Sequence, residues 1–426
     1  QQPVVSIQQS SHTGWTLNTE HRIPKIRSEK EFPDRTEKIL TDFDRRFSSR
    51  TVLLRPLLFF VPVIFHTCGA LKVEISYIPF SLAVTILSLF FLMSGYFLTW
   101  RLGVEDYPDY RTLIRRKCST LLLPYLFWNL LLFLLHYTLR FYGRFLPFLP
   151  QEQETAVPFW RALWLASGFC PDAPFPIMAP LWFVRNLFLM FLLAPLFVWF
   201  VRLKYSILFI LCFCAVEICY YSPICYYTPI CGLSMFLLGM TAGFRKYDFC
   251  SFTDRHWWLA PALLVPVFIY PFWQILPVEV MRLLATSALM ILFVQLSAFS
   301  EKIKSERTKN FLGFLSTSSF FLYCAHSPVV STLGRVVDAL FGERSYAMSC
   351  LLIIPLSICC IVIVLSVYVV LERTVPGFLS FLNGGRKSHV KRWLEFYAGT
   401  FFSGFLFIFW TFSSISFVNS FCHLIF

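Results

Sequence analysis

The chain has 426 residues, 57% of them hydrophobic and 14% charged, with a mean hydropathy of +0.64. A water-soluble domain carries about 25% charged residues, so a soluble globular fold is excluded. The formal charge of +13 comes from Lys and Arg in short connections between apolar runs, a pattern that orients a membrane protein rather than one that binds nucleic acid.

A transmembrane barrel would alternate polar and apolar residues in short segments. The apolar runs here are solid and of about twenty residues, enough to cross some 30 Å of hydrocarbon. The fold class expected is therefore all-α, a polytopic transmembrane helical bundle. Residues 1–50 read as a mixed-charge cytoplasmic tail without the apolar core of a signal peptide. Spans are expected near 52–70, 78–100, 119–138, 180–201, 205–221, 229–244, 257–274, 280–299, 311–331 and 347–371, about ten within a domain covering 51–392. Basic connections at 101–117, 245–246, 301–309 and 386–392 fall on one side with the tail, which makes that side cytoplasmic. The apolar segment 393–426 is either an eleventh span or an interfacial helix. The location implied is a plasma membrane, the inner one of a bacterium, with the N-terminus inside. Cysteines lie mainly within spans as small apolar residues; Cys170 and Cys225 both face outward in this topology, as a pair or as free thiols.

The first span holds Arg55 and, eleven positions on, His66. A rise of 1.5 Å per residue puts them about 16 Å apart, with Arg55 at the cytoplasmic edge and His66 at or beyond the midplane. An ionisable side chain at that depth is costly and marks a functional site. Pro62, four residues before His66, removes a donor to the carbonyl of Leu58 and predicts a bend there. In the second span Ser94-Gly95 allows close helix approach. Between the second and third spans Arg101, Arg111, Arg115, Arg116 and Lys117 form a cationic cluster, suited either to phosphate recognition or to anionic headgroups.

Further on, the same arithmetic brings Arg185, Glu217 and His326 into the outer half, at the depth of His66. Tyr323 precedes His326 by three residues. Arg185 and Glu217 would either neutralise each other or serve a polar ligand together with the two imidazoles. There is no phosphate-binding loop, dinucleotide glycine pattern, HExxH or nucleophile elbow, so neither ATP hydrolysis nor zinc chemistry has support and no metal is expected.

These residues, in this order, resemble the integral-membrane acyltransferase-3 family of polysaccharide O-acetyltransferases and succinyltransferases. The resemblance is carried by Arg55-x10-His66, Phe91-Leu-Met-Ser-Gly-Tyr-Phe-Leu98 and Arg116-Lys-Cys-Ser-Thr-Leu-Leu-Leu-Pro-Tyr-Leu-Phe-Trp-Asn129. It continues through Pro180-Leu-Trp-Phe-Val-Arg185, Phe236-Leu-Leu-Gly-Met240, Ser319-Phe-Phe-Leu-Tyr-Cys-Ala-His326 and Asn383-Gly-Gly-Arg386. It implies a ten-helix core, an acyl-CoA donor from the cytoplasm and an outward glycan acceptor, with Arg55 and His66 as the catalytic signature.

The function expected is transfer of an acetyl or other short acyl group from acetyl-CoA to a hydroxyl of a surface or lipid-linked glycan. His66 would be the general base and Arg55, His326 and Tyr323 its catalytic companions. Arg185, Trp182, Glu217 and Ser94 are candidates to hold substrate. Arg111, Arg115, Arg116 and Lys117 are candidates for the CoA phosphates. Partners are then acyl-CoA, the glycan and membrane lipids. The alternative is a proton-coupled secondary transporter or flippase using the same buried charges, against which stands the lack of an internal repeat.

Overall fold

The computed structural model describes residues 49–386 apart from 51, 53, 57–58, 74–76, 101–108, 143–158, 170–175, 220–231 and 274–276. The tail, the apolar segment after residue 392, Leu58, Cys170 and Cys225 therefore lie outside the described residues. Within them the chain is helical, with a single isolated bridge between Ser167 and Pro176 in place of any strand.

Helix α1 (Leu54–Ala70) is tethered at its start by Arg50, whose guanidinium donates to both oxygens of Asp254 (3.1 and 2.6 Å) and to Glu301 (2.6 Å). The helix continues through Pro62 to Ala70. Helix α2 (Tyr77–Trp100) follows. Next comes α3 (Tyr110–Lys117), started by Asp109, which accepts from the Thr112 N–H at 3.0 Å. The Thr112 hydroxyl first, and this N–H second, hold the exposed Asp109 carboxyl below its ordinary pKa. A π-turn at Cys118–Leu122, where the Leu123 N–H reaches back to the Cys118 carbonyl, leads into α4 (Leu123–Tyr142). Such one-residue expansions of a helix occur often at functional sites.

Helix α5 (Phe159–Ala166) precedes a 3-10 turn (Ala179–Leu181) that opens α6 (Trp182–Leu192). Pro195 then begins a bend of 67° into α7 (Ala194–Val201). Helices α8 (Ser206–Cys219), α9 (Leu233–Phe244), α10 (Phe249–Arg255), α11 (Leu259–Trp273), α12 (Val278–Ser297) and α13 (Phe299–Lys302) complete the middle of the bundle. The last long helices are α14 (Glu306–Phe341) and α15 (Tyr346–Thr374), followed by the short α16 (Pro376–Leu382).

Three helical stretches among the described residues are long and apolar enough to cross a membrane: Tyr110–Leu135, Leu284–Lys302 and Tyr346–Thr374. The bent pair α6–α7 makes a fourth if it counts as one span. Among the described residues the expected ten are not counted. One expected span is a shorter apolar helix there, Leu233–Phe244. Helix α14 has 36 residues, but the hydroxyl run Ser316, Thr317, Ser318, Ser319 and the imidazole of His326 lower its apolarity. Those hydroxyls bond to carbonyls three or four residues back in their own helix, as Thr317 does to Gly313 at 2.8 Å and Ser319 to Ser316 at 2.7 Å, so apolar surroundings tolerate them.

The tightest seam joins α2 and α9, which run in the same direction. A Cβ on Gly95 would strike the Phe236 carbonyl, and one on Gly239 the Leu92 carbonyl. With Gly243 against Tyr96 and Thr99, glycines four apart let two backbones touch. Thr99 then donates across the seam to the Met240 carbonyl at 2.6 Å. The aromatic core, with Phe91, Phe183, Phe236, Phe321 and Tyr323, runs from this seam to α14 and holds α1 against it.

Candidate active site

Helices α1 and α14 bring the imidazoles of His66 and His326 together. The rings of His66 and His326 lie 5.1 Å apart, centre to centre, tilted by 49°. His326 is fully buried. Its Nδ1 faces the Tyr323 carbonyl at 2.7 Å and the Leu322 carbonyl at 3.3 Å. A carbonyl only accepts, so Nδ1 carries the proton and Nε2 keeps its lone pair. That Nε2 has no hydrogen-bond partner among the described residues. A buried acceptor left open beside a second imidazole calls for a ligand proton to fill it.

Two features mark this part of α14. Pro328, two residues beyond His326 in the same helix, donates nothing to the carbonyl of Cys324. The carbonyl of His326 itself accepts from Cys360 Sγ of α15 at 3.8 Å. Helix α1 is fixed to α15 beside His66, where Ser357 Oγ donates to Thr67 Oγ1 at 3.1 Å and Thr67 passes its own proton to the Val63 carbonyl at 2.8 Å.

Tyr323 stacks its ring among Phe59 (5.4 Å), Phe183 (6.0 Å) and His326 (5.9 Å). Its hydroxyl donates to the Pro180 carbonyl at the start of α6. Tyr323 thus ties α6 to α14 beneath the imidazole pair. Trp182 is buried next to it, edge-on to Phe183 and tilted against Phe91. Arg185, only 3% exposed, donates to the Gly168 carbonyl and, through Nε and Nη2, to Asn186 Oδ1 at 3.1 Å. With Tyr125, whose hydroxyl donates to the Ser167 carbonyl, it pins the 167–168 loop onto the bundle. Ser94 is half-buried on α2 beside Gly95. Glu217 falls on α8, but its side chain lies outside the described residues.

The cationic run on α3 divides. Arg111, Arg115 and Arg116 are exposed, whereas Lys117 turns inward and sits 3.9 Å above the ring of Phe191. Its companion is Arg386, a residue for which depth and charge patterning gave no role. The segment Asn383-Gly-Gly-Arg386 is a built turn. Asn383 Oδ1 accepts from the Phe321 N–H at 3.2 Å and its Nδ2 donates to the Thr317 carbonyl at 2.8 Å. Those two groups are the donor and acceptor of one i to i−4 pair, so the amide clamps a turn of α14. Gly384 and Gly385 have φ of +66° and +75°. They return the chain so that Arg386 donates to the Asn383 carbonyl at 3.2 Å and lies 4.6 Å over the ring of Phe320. Arg386 is within electrostatic reach of both Lys117 and Arg55. Three cations from three elements therefore converge, and none has a carboxylate partner among the described residues.

Paired imidazoles on α1 and α14, with cations that lack a carboxylate partner among the described residues at the other end of α1, are the polar features of this helical bundle. Residues 53–373 match the acyltransferase-3 family, described as an acyltransferase domain, and the chain belongs to that family. Over 304 residues, 69% of this chain and 77% of the relative, it is 27% identical to the succinoglycan biosynthesis protein ExoH of Rhizobium meliloti. No solved structure matches the chain.

Proposed function

We propose that this acyltransferase moves a short acyl group, acetyl in the simplest case, from a cytoplasmic CoA thioester to a glycan hydroxyl, with His66 as general base. The observation that carries the reading is the arrangement along α1: cations without counter-charges among the described residues at the Arg55 end, and a pair of imidazoles eleven residues further on. Phosphate groups suit the first, and a hydroxyl proton suits the second. The pantetheine arm of CoA is of a length comparable with the axial separation, about 16 Å. The relative's part in making the polysaccharide succinoglycan supports a glycan acceptor, and membership of an acyltransferase family favours transfer over transport.

In the reaction derived from these groups, the acceptor oxygen attacks the thioester carbonyl carbon as His66, in its neutral form, takes the hydroxyl proton. The tetrahedral oxyanion collapses, the carbon–sulfur bond breaks and the thiolate leaves, recovering a proton from the imidazolium. The ester stays on the glycan and free CoA thiol is released. His326 Nε2 accepts a hydrogen bond in this layer, which holds either His66 or the acceptor in position. Lys117 and Arg386, with Arg55, hold the donor phosphates, and Arg111, Arg115 and Arg116 line its approach. In this reading the remaining apolar helices complete a bundle of about ten spans with the basic side in the cytoplasm.

The test is transfer of labelled acetyl from acetyl-CoA to glycan by membranes carrying the wild-type protein or His66→Gln. Loss of a positioned base lowers the rate by roughly 10²–10⁴-fold, while stabilisation of the protein by CoA persists. Undiminished transfer by His66→Gln would overturn the assignment of the base. Absence of both CoA stabilisation and transfer in the wild type would overturn the donor.

A further inference from the structure

On the side of His66 away from Arg55 a cavity of about 360 Å³ lies between the end of α1 and the second half of α14. Small-molecule sites begin at about 300 Å³, so it has room for a sugar unit rather than for a whole chain. One wall is a stripe of α14: Ser327, Ser331, Arg335 and Asp338. Spacings of four, four and three residues put these polar side chains on one helix face, leading outward from the imidazole layer. The facing wall is His66 and Gly69 of α1.

Two features show that this space is held open. Gly334 packs against α1, where an added Cβ would come 2.9 Å from the Cβ of Ala70, so the helices touch there. One residue away, a Cβ built on Gly69 meets nothing within 4 Å. The far rim is braced by ions, since Asp338 pairs with Lys72 at 3.3 Å and with Arg344 at 2.7 Å. Burial raises the Asp338 carboxyl, but hydrogen bonds from Arg344 and Lys72 outweigh it and hold the group ionised, below the ordinary range. Lys72 keeps a left-handed backbone, φ 57°, just past the end of α1.

The geometry points to this cavity as the acceptor subsite. It would take one neutral or polar sugar residue of a glycan, with the reacting hydroxyl at His66 and the other hydroxyls along the Ser327–Asp338 stripe. Two hydroxyls, the Arg335 guanidinium and an ion-paired carboxylate along α14, with the small surfaces of Gly69, Ala70 and Gly334 between the helices, suit a pyranose with its polar edge and its flatter C–H face. Donor and acceptor then meet the base from opposite ends of α1. This inference rests on the acyltransferase reading given above, and the experiment separates the two.

Gly69→Phe projects a ring into the open space, and Ser331→Phe fills it from α14 should the first variant fold poorly. Each is assayed in host membranes, which supply their own glycans, with acetyl-CoA labelled in the acetyl group. The result expected is a loss of glycan acylation of at least about tenfold while thermal stabilisation by CoA is unchanged. Wild-type acylation by a folded filling variant overturns the subsite. So does loss of CoA stabilisation together with transfer, because the cavity would then belong to the donor. Full acylation by His66→Gln instead sinks the underlying mechanism, whatever the filling variants do.

Discussion

Replacing Gly384 by Ala tests whether the turn after α16 sets the donor site. At φ +66° an Ala side chain is strained by about 1–2 kcal/mol relative to Gly, partly offset by about 0.4–1 kcal/mol from the stiffer unfolded chain. The added Cβ would also sit 2.5 Å from the Thr120 carbonyl oxygen, about 0.9 Å inside ordinary contact at 3.4 Å. Overpacking of that size costs roughly 1–3 kcal/mol. The neighbouring Gly385 is the internal control. Its φ is +75°, but a Cβ there meets only the Thr120 methyl at 3.8 Å, leaving strain without a clash, about 1 kcal/mol. Gly384→Ala should therefore cost about 3 kcal/mol. It should also push Arg386 off Phe320, because the turn must move away from the π-turn at Thr120. Thermal unfolding in detergent, with and without CoA, reads both effects. Gly384→Ala unfolds well below Gly385→Ala and loses most of its CoA stabilisation, whereas Gly385→Ala keeps it. Equal damage from the two substitutions would refute the argument, because it would leave the Thr120 contact without consequence.

Lys117→Met should raise the KM for acyl-CoA by about 10–100-fold, the worth of one charge-assisted hydrogen bond to phosphate. Arg115→Ala and Arg116→Ala should change it only a few-fold. Steady-state kinetics with varied donor checks this, and equal effects at all three positions would contradict the inward turn of Lys117. Arg50→Ala should lower stability by about 2 kcal/mol, because it leaves Asp254 and Glu301 without their partner, although both are partly solvated (40% and 31% exposed). Donor KM should not change with it; a thermal midpoint equal to wild type would show that the tether of α1 contributes nothing. Asp338 is held below its ordinary value by Arg344 and Lys72. Its contribution is present above the unfolded carboxyl's pKa of about 3.9 and disappears only as pH falls through the lower folded value. The stability gap between wild type and Asp338→Asn should then be constant from about pH 8 to pH 5. A gap already closing near pH 6 would contradict the ion-paired rim.

Composition alone makes the helical class legible, and axial rise puts His66 and His326 at a comparable depth. That α1 and α14 lie side by side, so that the two rings come within 5.1 Å, was not legible from counting residues. Facing direction is different, because it depends on which neighbour each helix packs against. Lys117 and Arg116 are adjacent in sequence, yet one covers Phe191 and the other faces out. Arg185 was expected to face a ligand or Glu217, and its guanidinium reaches the Gly168 carbonyl and Asn186. The role of Arg386 was not legible for a further reason. It depends on Asn383 clamping α14 from 62 residues away and on two left-handed glycines, features that carry no periodicity. The Asn-Gly-Gly-Arg run itself was visible, and a pair of glycines before a cation was the signal of a built turn.

The bond between His326 Nδ1 and the Tyr323 carbonyl has a consequence for the membrane itself. In the proposed reaction a donor and an acceptor reach the imidazole layer from opposite ends of α1, and a path of that kind can also carry protons. An imidazole conducts protons only if one nitrogen takes a proton while the other gives one up. In His326 the second nitrogen is occupied by its own helix, so the ring can accept and return a proton but has no exit through which to pass it on. A proton taken up at Nε2 can therefore leave only by the way it came, and one backbone carbonyl makes His326 a dead end rather than a link in a relay.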